Sequence, residues 1–163
     1  MRCAPSTRRR VCPTISRTRW RYERWISSAC WWQPLLPRAQ LLTRLVAPRA
    51  LGVLVAAPAF AGRADIPESW TVTSDSLAVL AAAAIGGEEA VLLKPVAGVV
   101  PRWPSDDPPL AEMTADELQA LQDAGGGLAV DPYPAEAVRR TGVAVVVRTP
   151  GASRTVETRI VPG

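Results

Sequence analysis

The sequence predicts an α/β fold with three layers, αβα, built on a mostly parallel sheet that ends in a C-terminal antiparallel hairpin. From Leu51 onward, apolar runs of strand length alternate with segments of helical periodicity, and Pro or Gly separates them. The last two apolar segments are Val143–Val147 and Thr155–Val161, with a turn at Pro150-Gly151 between them. Such close spacing is typical of antiparallel neighbours.

A strand–helix–strand unit is expected between Leu51 and Leu93. The continuous apolar run Leu51–Ala57 fits a buried parallel strand. Asp75–Ile85 follows helical spacing but has no polar face, which predicts a buried helix. Glu89–Leu93 fits a second buried strand, and the spacing predicts that the two strands are parallel and joined by a right-handed crossover.

Capping residues mark the elements of the second half. Thr114-Ala115-Asp116-Glu117 forms a capping box, which predicts a helix that runs to about Asp123. Pro134 is expected to open a short helix that Gly142 closes.

The chain divides into two regions of opposite charge. Eleven Arg and one acidic residue, Glu23, give residues 1–49 a charge of +10, whereas seven Arg and one Lys against fourteen acidic residues give residues 50–163 a charge of −6. Residues 1–49 show no sustained periodicity, and we expect a basic segment that is disordered or non-native, such as an out-of-frame reading. Nucleic-acid binding is not expected, because most basic runs are simply solvated. Residues 50–163 are expected to form the folded domain.

A targeting signal is an alternative for part of the basic region. Arg44 and Arg49 precede the apolar run, and Ala59-Phe60-Ala61 matches a small-x-small cleavage pattern, so residues 44–61 could direct export. The preceding basic region is longer than a usual signal, and the run is shorter than the roughly 20 residues that span a bilayer. We therefore expect a cytoplasmic protein with no transmembrane segment.

The composition excludes several kinds of catalysis. The chain contains no His, which excludes Ser–His–Asp and Cys–His nucleophilic sites and the usual zinc sites. Cys3, Cys12 and Cys30 form no C-x-x-C pair and give an odd count, which argues against a disulfide framework. No metal site is expected.

Polar residues are expected to gather at the carboxyl ends of the strands, where sites form in parallel sheets. Asp75 begins the first predicted helix and Lys94 ends the second predicted strand, so connectivity puts both on one edge of the sheet. Thr73 and Ser74 lie beside that helix N-terminus, a place that binds phosphate. Lys94 is the only lysine of the chain, and its compact charge suits phosphate. Asp75 could instead have no catalytic role and only stabilise the helix through its dipole, and Lys94 could be a solvated residue at the end of a strand.

Two segments carry a resemblance to a known family. Ser69–Ala78 resembles the motif of the amino acid kinase family in which Thr/Asn-x-Asp opens an alanine-rich helix, and Ala90–Val99 resembles the strand and turn that follow. Val130-Asp131-Pro132 is similar to a late feature of the same family. The resemblance covers about Pro58–Gly163, the C-terminal half of such a domain. It is greatest to the small archaeal and bacterial branch that includes aminomethylfuran phosphate kinase.

The resemblance implies an ATP-dependent phosphotransferase that uses Mg²⁺ and acts on a carboxylate, phosphate or carbamate-like acceptor. Asp75 would organise the catalytic site and hold the positive groups that meet the transferred phosphoryl, and Lys94 would be a second catalytic residue. Thr73 and Ser74 would lie near the acceptor or the phosphates. A homo-oligomer is also expected. The residues implied to line the nucleotide pocket are Lys94, Val96, Gly98 and Val99.

Departures from the family motif limit the activity that is expected. No Lys precedes Lys94, and the only Gly before Gly62 is Gly52, so the phosphate loop with its lysine is not found. Thr71 and Ala97 stand where Asp is usual. We therefore expect a truncated kinase that is weakly active or inactive alone. The alternative is a non-catalytic α/β module that binds a nucleotide or another subunit.

Overall fold

A computed structural model describes residues 35–102, 106–127, 129–151 and 157–163. The three cysteines and the first two residues of the strand expected at Thr155 lie outside these ranges. The elements in chain order are β1 (Gln40–Leu42), β2 (Gly52–Leu54), α1 (Ala56–Phe60), α2 (Ser74–Ala84), β3 (Glu89–Leu93), β4 (Glu112–Thr114), α3 (Ala115–Asp123), α4 (Pro134–Thr141), β5 (Ala144–Arg148) and β6 (Glu157–Val161).

The main sheet has four strands in the order β3-β5-β6-β4. β3 pairs with β5 and β4 pairs with β6 in parallel, whereas β5 and β6 are antiparallel. The α/β class, the predominance of parallel pairs and the C-terminal antiparallel hairpin are therefore confirmed.

One face of this sheet forms the core. Ala90 of β3 pairs with Val145 of β5, which pairs with Ile160 of β6, and all three side chains are buried. Burying a Val, Leu or Ile side chain fully stabilises a fold by about 1.5–3 kcal/mol. The residues that cover this face from the helices include Val79 and Leu80 of α2, Leu118 of α3 and Val138 of α4.

The opposite face of the sheet carries ion pairs beside exposed apolar side chains of β3. Arg159 pairs with Glu89, and Arg148 pairs with Glu157 at 3.6 Å. The helices α2, α3 and α4 supply core residues that pack on the apolar face.

The first predicted strand is shorter than expected and pairs elsewhere. β2 forms a separate parallel pair with β1, in which Gln40 lies opposite Gly52, so the prediction that it shares one sheet with β3 in a strand–helix–strand unit is wrong. The rest of the apolar run becomes α1. Pro58 lies in the first turn of α1, where its missing N–H is tolerated, whereas it would interrupt a strand ladder. β1 also lies within residues 1–49, and the boundary expected at residue 49 stays a prediction.

The helix predicted at Asp75–Ile85 is α2, but only one side of it is buried. Val79 and Leu80 are in the core, while Ala78 and Ala81 are only partly buried. β3 alternates in the same way, with Ala90 and Leu92 buried and its other side chains exposed. The predictions of a fully buried helix and a fully buried strand are therefore wrong.

The predictions for the second half are confirmed. The Thr114 hydroxyl accepts from the Glu117 N–H while the Glu117 carboxylate accepts from the Thr114 N–H, which is the reciprocal capping box of α3. Pro134 begins α4, and Gly142 ends it with a φ of 75°, which only glycine adopts without strain. Within the described ranges, every helix is too short or too polar to cross a bilayer.

Thr158 fixes the turn that follows β3, and this contact generates a prediction. The Val99 N–H donates to Thr158 Oγ1 at 2.8 Å, and the Thr158 side chain is fully buried. Thr158→Val keeps the shape but leaves the buried N–H unpaired, so we expect the free energy of unfolding to fall by about 1–3 kcal/mol. Urea denaturation measures the change. Thr43→Val, at an exposed position, should stay within about 0.5 kcal/mol of the parent, and equal effects of the two substitutions would contradict the prediction.

Candidate active site

The connectivity predicts that Asp75 and Lys94 share one edge of the sheet, and the structure brings them into direct contact. Lys94 Nζ lies 2.7 Å from Asp75 Oδ2. The Asp75 side chain is 7% exposed and that of Lys94 is 25% exposed, so the carboxylate is enclosed while the ammonium reaches solvent. The Lys94 N–H donates to the Arg148 carbonyl at 2.9 Å, which fixes the carboxyl end of β3 on β5. The pair thus stands at the edge of the sheet where the first turn of α2 meets the end of β3.

The carboxylate of Asp131 occupies the N-terminus of α2. Its Oδ2 accepts from the Thr73 N–H at 2.8 Å, from Thr73 Oγ1 at 2.7 Å and from the Ser76 N–H at 3.2 Å. Its Oδ1 accepts from Ser76 Oγ and from the Tyr133 N–H, the latter at 3.2 Å. A carboxylate at this position satisfies helix N–H groups and interacts favourably with the helix dipole.

The same residue also holds Asp75. The Asp131 N–H donates to Asp75 Oδ2 at 3.2 Å, so this oxygen accepts from both Asp131 and Lys94. The Asp131 carbonyl in turn accepts from Gln122 Nε2 of α3 at 2.9 Å. Residue 131 therefore joins α2, α3 and the start of α4, and it orients the Asp75–Lys94 pair without touching Lys94.

Sequence reasoning missed this role of Asp131. Thr73 is the N-cap residue of α2, and its hydroxyl donates to Asp131 instead of capping the helix. The available signal was an Asp immediately before Pro132, a pair that favours a local turn. The N-terminus of α2 was expected to bind phosphate, but it already holds the carboxylate of Asp131.

The other predicted site residues lie in different environments. Ser74 is exposed at the first position of α2. Val96 is partly exposed, whereas Gly98 and Val99 are buried, with Gly98 packed closely against Thr158 and Pro109. The roles of these residues in nucleotide binding stay predictions.

The charges of the site suit an anion better than a metal ion. Among the residues described, no group of three potential metal ligands is found. Asp131 uses both carboxylate oxygens on N–H and O–H groups of the chain. Lys94 has three N–H donors, of which Asp75 Oδ2 takes one, and a partly exposed ammonium of this kind can bind a phosphate oxygen.

An ion-pair network ties the loop before α2 to α4. Arg63 donates to both carboxylate oxygens of Asp65, each at 2.7 Å. Arg140 donates to Asp65 Oδ2 at 2.9 Å and to the Tyr133 hydroxyl at 3.2 Å. The Arg63 hydrogen bonds hold the pKa of the Asp65 carboxyl well below its ordinary value, with a further contribution from the charge of Arg140.

Comparison with known families gives one extensive match. The sequence model of the amino acid kinase family matches residues 36–149. This match begins at residue 36, whereas the resemblance noted in the sequence begins only at about Pro58. A search of curated proteins finds none that matches.

Three solved structures are similar to this chain, which covers a different share of each of them. UMP kinase from Ureaplasma parvum shares the fold, with a TM-score of 0.60 at 11% identity over 88% of this chain and 70% of that one. Aspartate kinase from Synechocystis is 29% identical, with a TM-score of 0.42 over 55% of this chain and 16% of that one. A protein from Aeropyrum pernix K1 is 24% identical, with a TM-score of 0.45 over 56% of this chain and 33% of that one. The chain thus spans a third or less of the last two proteins.

The Asp65 network predicts a pH dependence of stability. Because the pKa of Asp65 is lower in the folded state than in the unfolded state, its contribution is present above the unfolded value of about 3.9 and is lost as the pH falls further. We expect Asp65→Asn to flatten the fall in the free energy of unfolding below about pH 4, with a smaller effect at high salt. Urea denaturation at several pH values measures this. Asp106→Asn, in an exposed loop, is the control, and an unchanged slope in Asp65→Asn would contradict the prediction.

Proposed function

The chain belongs to the amino acid kinase family, and we propose that its domain transfers the γ-phosphoryl group of ATP to a small-molecule acceptor. The observation that carries the proposal is the contact of 2.7 Å between Lys94 Nζ and Asp75 Oδ2 at the carboxyl edge of the sheet. It combines an enclosed carboxylate with a cation that reaches solvent. Phosphoryl transfer needs such charge and positioning more than it needs covalent chemistry from the protein.

Lys94 is the residue proposed to meet a phosphate oxygen. Its ammonium is a compact charge with donors to spare, which suits phosphate. Asp75 fixes the direction of the ammonium, and Asp131 fixes Asp75 through its N–H at 3.2 Å. ATP supplies the phosphoryl group when it is bound. Because the described residues hold no ready-made metal site, no step is assigned to Mg²⁺.

The acceptor is proposed at the level of chemical class. A carboxylate, phosphate or carbamate-like group fits the family, and the aminomethylfuran phosphate kinase branch remains a hypothesis that depends on Ser69–Ala78. Ser74 is better placed than Thr73 to contact an acceptor, because its side chain is exposed while the Thr73 hydroxyl is bound to Asp131.

The chain alone is proposed to have weak activity or none, and to act in the cytoplasm. No second lysine is present to neutralise the transferred group. Removing one preorganised charge-stabilising group commonly lowers a rate by about 100- to 1,000-fold.

A specific observation favours a second candidate, a non-catalytic module that binds a nucleotide or a subunit. The N-terminus of α2, where a phosphate would gain most from the helix dipole, is occupied by the Asp131 carboxylate. A bound phosphate would have to rely on Lys94 instead. Such a module would bind ATP without turning it over.

We expect Lys94→Met to weaken ATP binding by tenfold or more. A hydrogen bond to a charged group contributes about 1.5–3 kcal/mol, and about 1.4 kcal/mol corresponds to a factor of ten in affinity. Isothermal titration of the full chain with ATP measures the change, and Arg44→Met, at an exposed position away from the site, is the matched control. Equal affinity of Lys94→Met and the parent would contradict the assignment. In the same samples, phosphoryl transfer that Asp75→Asn abolishes supports the kinase, and ATP binding without transfer supports the module.

A further inference from the structure

The side chain of Gln122 connects the end of α3 to the candidate site. Its Nε2 donates to the Asp131 carbonyl at 2.9 Å, and the Asp131 N–H donates to Asp75 Oδ2 at 3.2 Å. The same Asp75 oxygen accepts from Lys94 Nζ at 2.7 Å. Three successive hydrogen bonds therefore run from α3 to the ammonium that is proposed to meet a phosphate oxygen.

The hydrogen bond from Gln122 fixes a part of residue 131 that its other contacts do not hold. The Asp131 carboxylate is bound to N–H groups at the start of α2, and its main-chain N–H is bound to Asp75. Its carbonyl belongs to the next peptide unit, which has no N–H because the following residue is Pro132. With this carbonyl held as well, residue 131 cannot turn its N–H away from Asp75 without breaking the bond to Gln122.

The glycine turn that ends α3 sets the position of Gln122. The Gly125 N–H donates to the Gln122 carbonyl at 2.9 Å, which fixes the main chain at this residue. A Cβ atom at Gly127 would lie only 3.1 Å from Gln122 Cγ, and this glycine has a φ of 64°. The Gln122 side chain therefore lies directly against the turn, in space that a side chain at position 127 would take.

The amide group of Gln122 is not what stability alone would favour at this position. Its Oε1 is buried and has no hydrogen-bond partner among the described residues. A buried acceptor without a partner costs free energy, whereas an apolar side chain of similar length carries no such cost. Local arrangements that are unfavourable for the fold are expected mainly at functional sites. The Nε2 donor to Asp131 is the contact that the amide provides in exchange.

We propose that Gln122 is a positioning residue for the Lys94 ammonium, acting through the main chain of Asp131 and the carboxylate of Asp75. The proposal rests on the proposed function, in which Lys94 meets a phosphate oxygen of ATP. Loss of the Gln122 donor releases the Asp131 carbonyl, loosens the N–H that holds Asp75 and leaves Lys94 less well oriented. The Asp131 carboxylate keeps its own contacts, so the start of α2 stays in place.

The first test is the affinity of the full chain for ATP. Gln122→Met keeps the approximate length of the side chain and removes the donor, and we expect it to weaken ATP binding by about three- to tenfold, the effect of one ordinary hydrogen bond. Gln119→Met is the matched control, because Gln119 lies on the same helix and donates to Asp123 Oδ1 instead. Isothermal titration should show an unchanged affinity for this control.

A variant without Lys94 separates positioning from a general structural role. If Gln122 acts through Lys94, adding Gln122→Met to Lys94→Met should change the affinity for ATP by less than about twofold. An equal effect of Gln122→Met in the parent and in Lys94→Met would overturn the proposal, because contacts that act independently have additive effects.

The only lysine of the chain provides a readout that does not need ATP. When lysine labelled with ¹³C at Cε is incorporated, Lys94 gives the single labelled signal, and its NMR relaxation reports motion of this side chain. We expect greater motion in Gln122→Met than in the parent and in Gln119→Met. Equal motion in the three proteins would overturn the positioning role even if ATP binds. Greater motion in a chain that fails to bind ATP would support the positioning of Lys94 and reject the proposed function.

Urea denaturation checks that the variants are folded. Because Gln122→Met also removes the unpaired Oε1, we expect its midpoint to stay near that of Gln119→Met. If Gln122→Met does not fold, Gln122→Glu takes its place in the same measurements, since it keeps the shape and replaces the donor with an acceptor. Failure of both Gln122 variants to fold, with Gln119→Met folded, would identify Gln122 as a structural residue and overturn the proposal.

Discussion

The carboxylate of Asp131 is the contact on which the candidate site depends. Asp131 lies in the loop that follows α3, and its carboxylate accepts hydrogen bonds from Thr73, Ser76 and Tyr133. One side chain therefore joins the start of α2 to the start of α4. The N–H of the same residue donates to Asp75, which in turn holds Lys94. Hydrogen bonds to an ionised group are stronger than neutral ones, and a partly buried site strengthens them further. Without this carboxylate, the N-terminal N–H groups of α2 would lose their acceptor and Asp75 would lose a fixed neighbour.

This arrangement decides which group is available for an anion. A helix N-terminus and a lysine are both able to bind phosphate, but the first is already occupied by Asp131. Lys94 therefore remains as the cation of the site, partly exposed and oriented by Asp75. Among the described residues, β3 pairs with a strand, β5, on one edge only, and the end of this strand carries Lys94.

Local sequence signals predicted the second half of the fold well. The capping box at Thr114 and the glycine at position 142 specify helix ends through contacts within a few residues, so they can be read without the rest of the fold. The placement of Asp75 and Lys94 at one edge of the sheet was also predicted, although the expected strand–helix–strand unit of β2 and β3 in one sheet was wrong. The prediction held because α2 packs against β3 and begins where that strand ends. The role of Asp131 could not be found in this way, since it contacts Thr73 across 58 positions and no local pattern encodes such a contact.

A double-mutant cycle between Ser76→Ala and Asp131→Ala tests most directly whether the Asp131 carboxylate holds the N-terminus of α2. Ser76 is fully buried, and its hydroxyl donates to Asp131 Oδ1, so each substitution removes one partner of the same hydrogen bond. Free energies of unfolding from urea denaturation should show a coupling of about 1.5–3 kcal/mol between the two positions. Effects that add to within about 0.5 kcal/mol would contradict the central role given to Asp131.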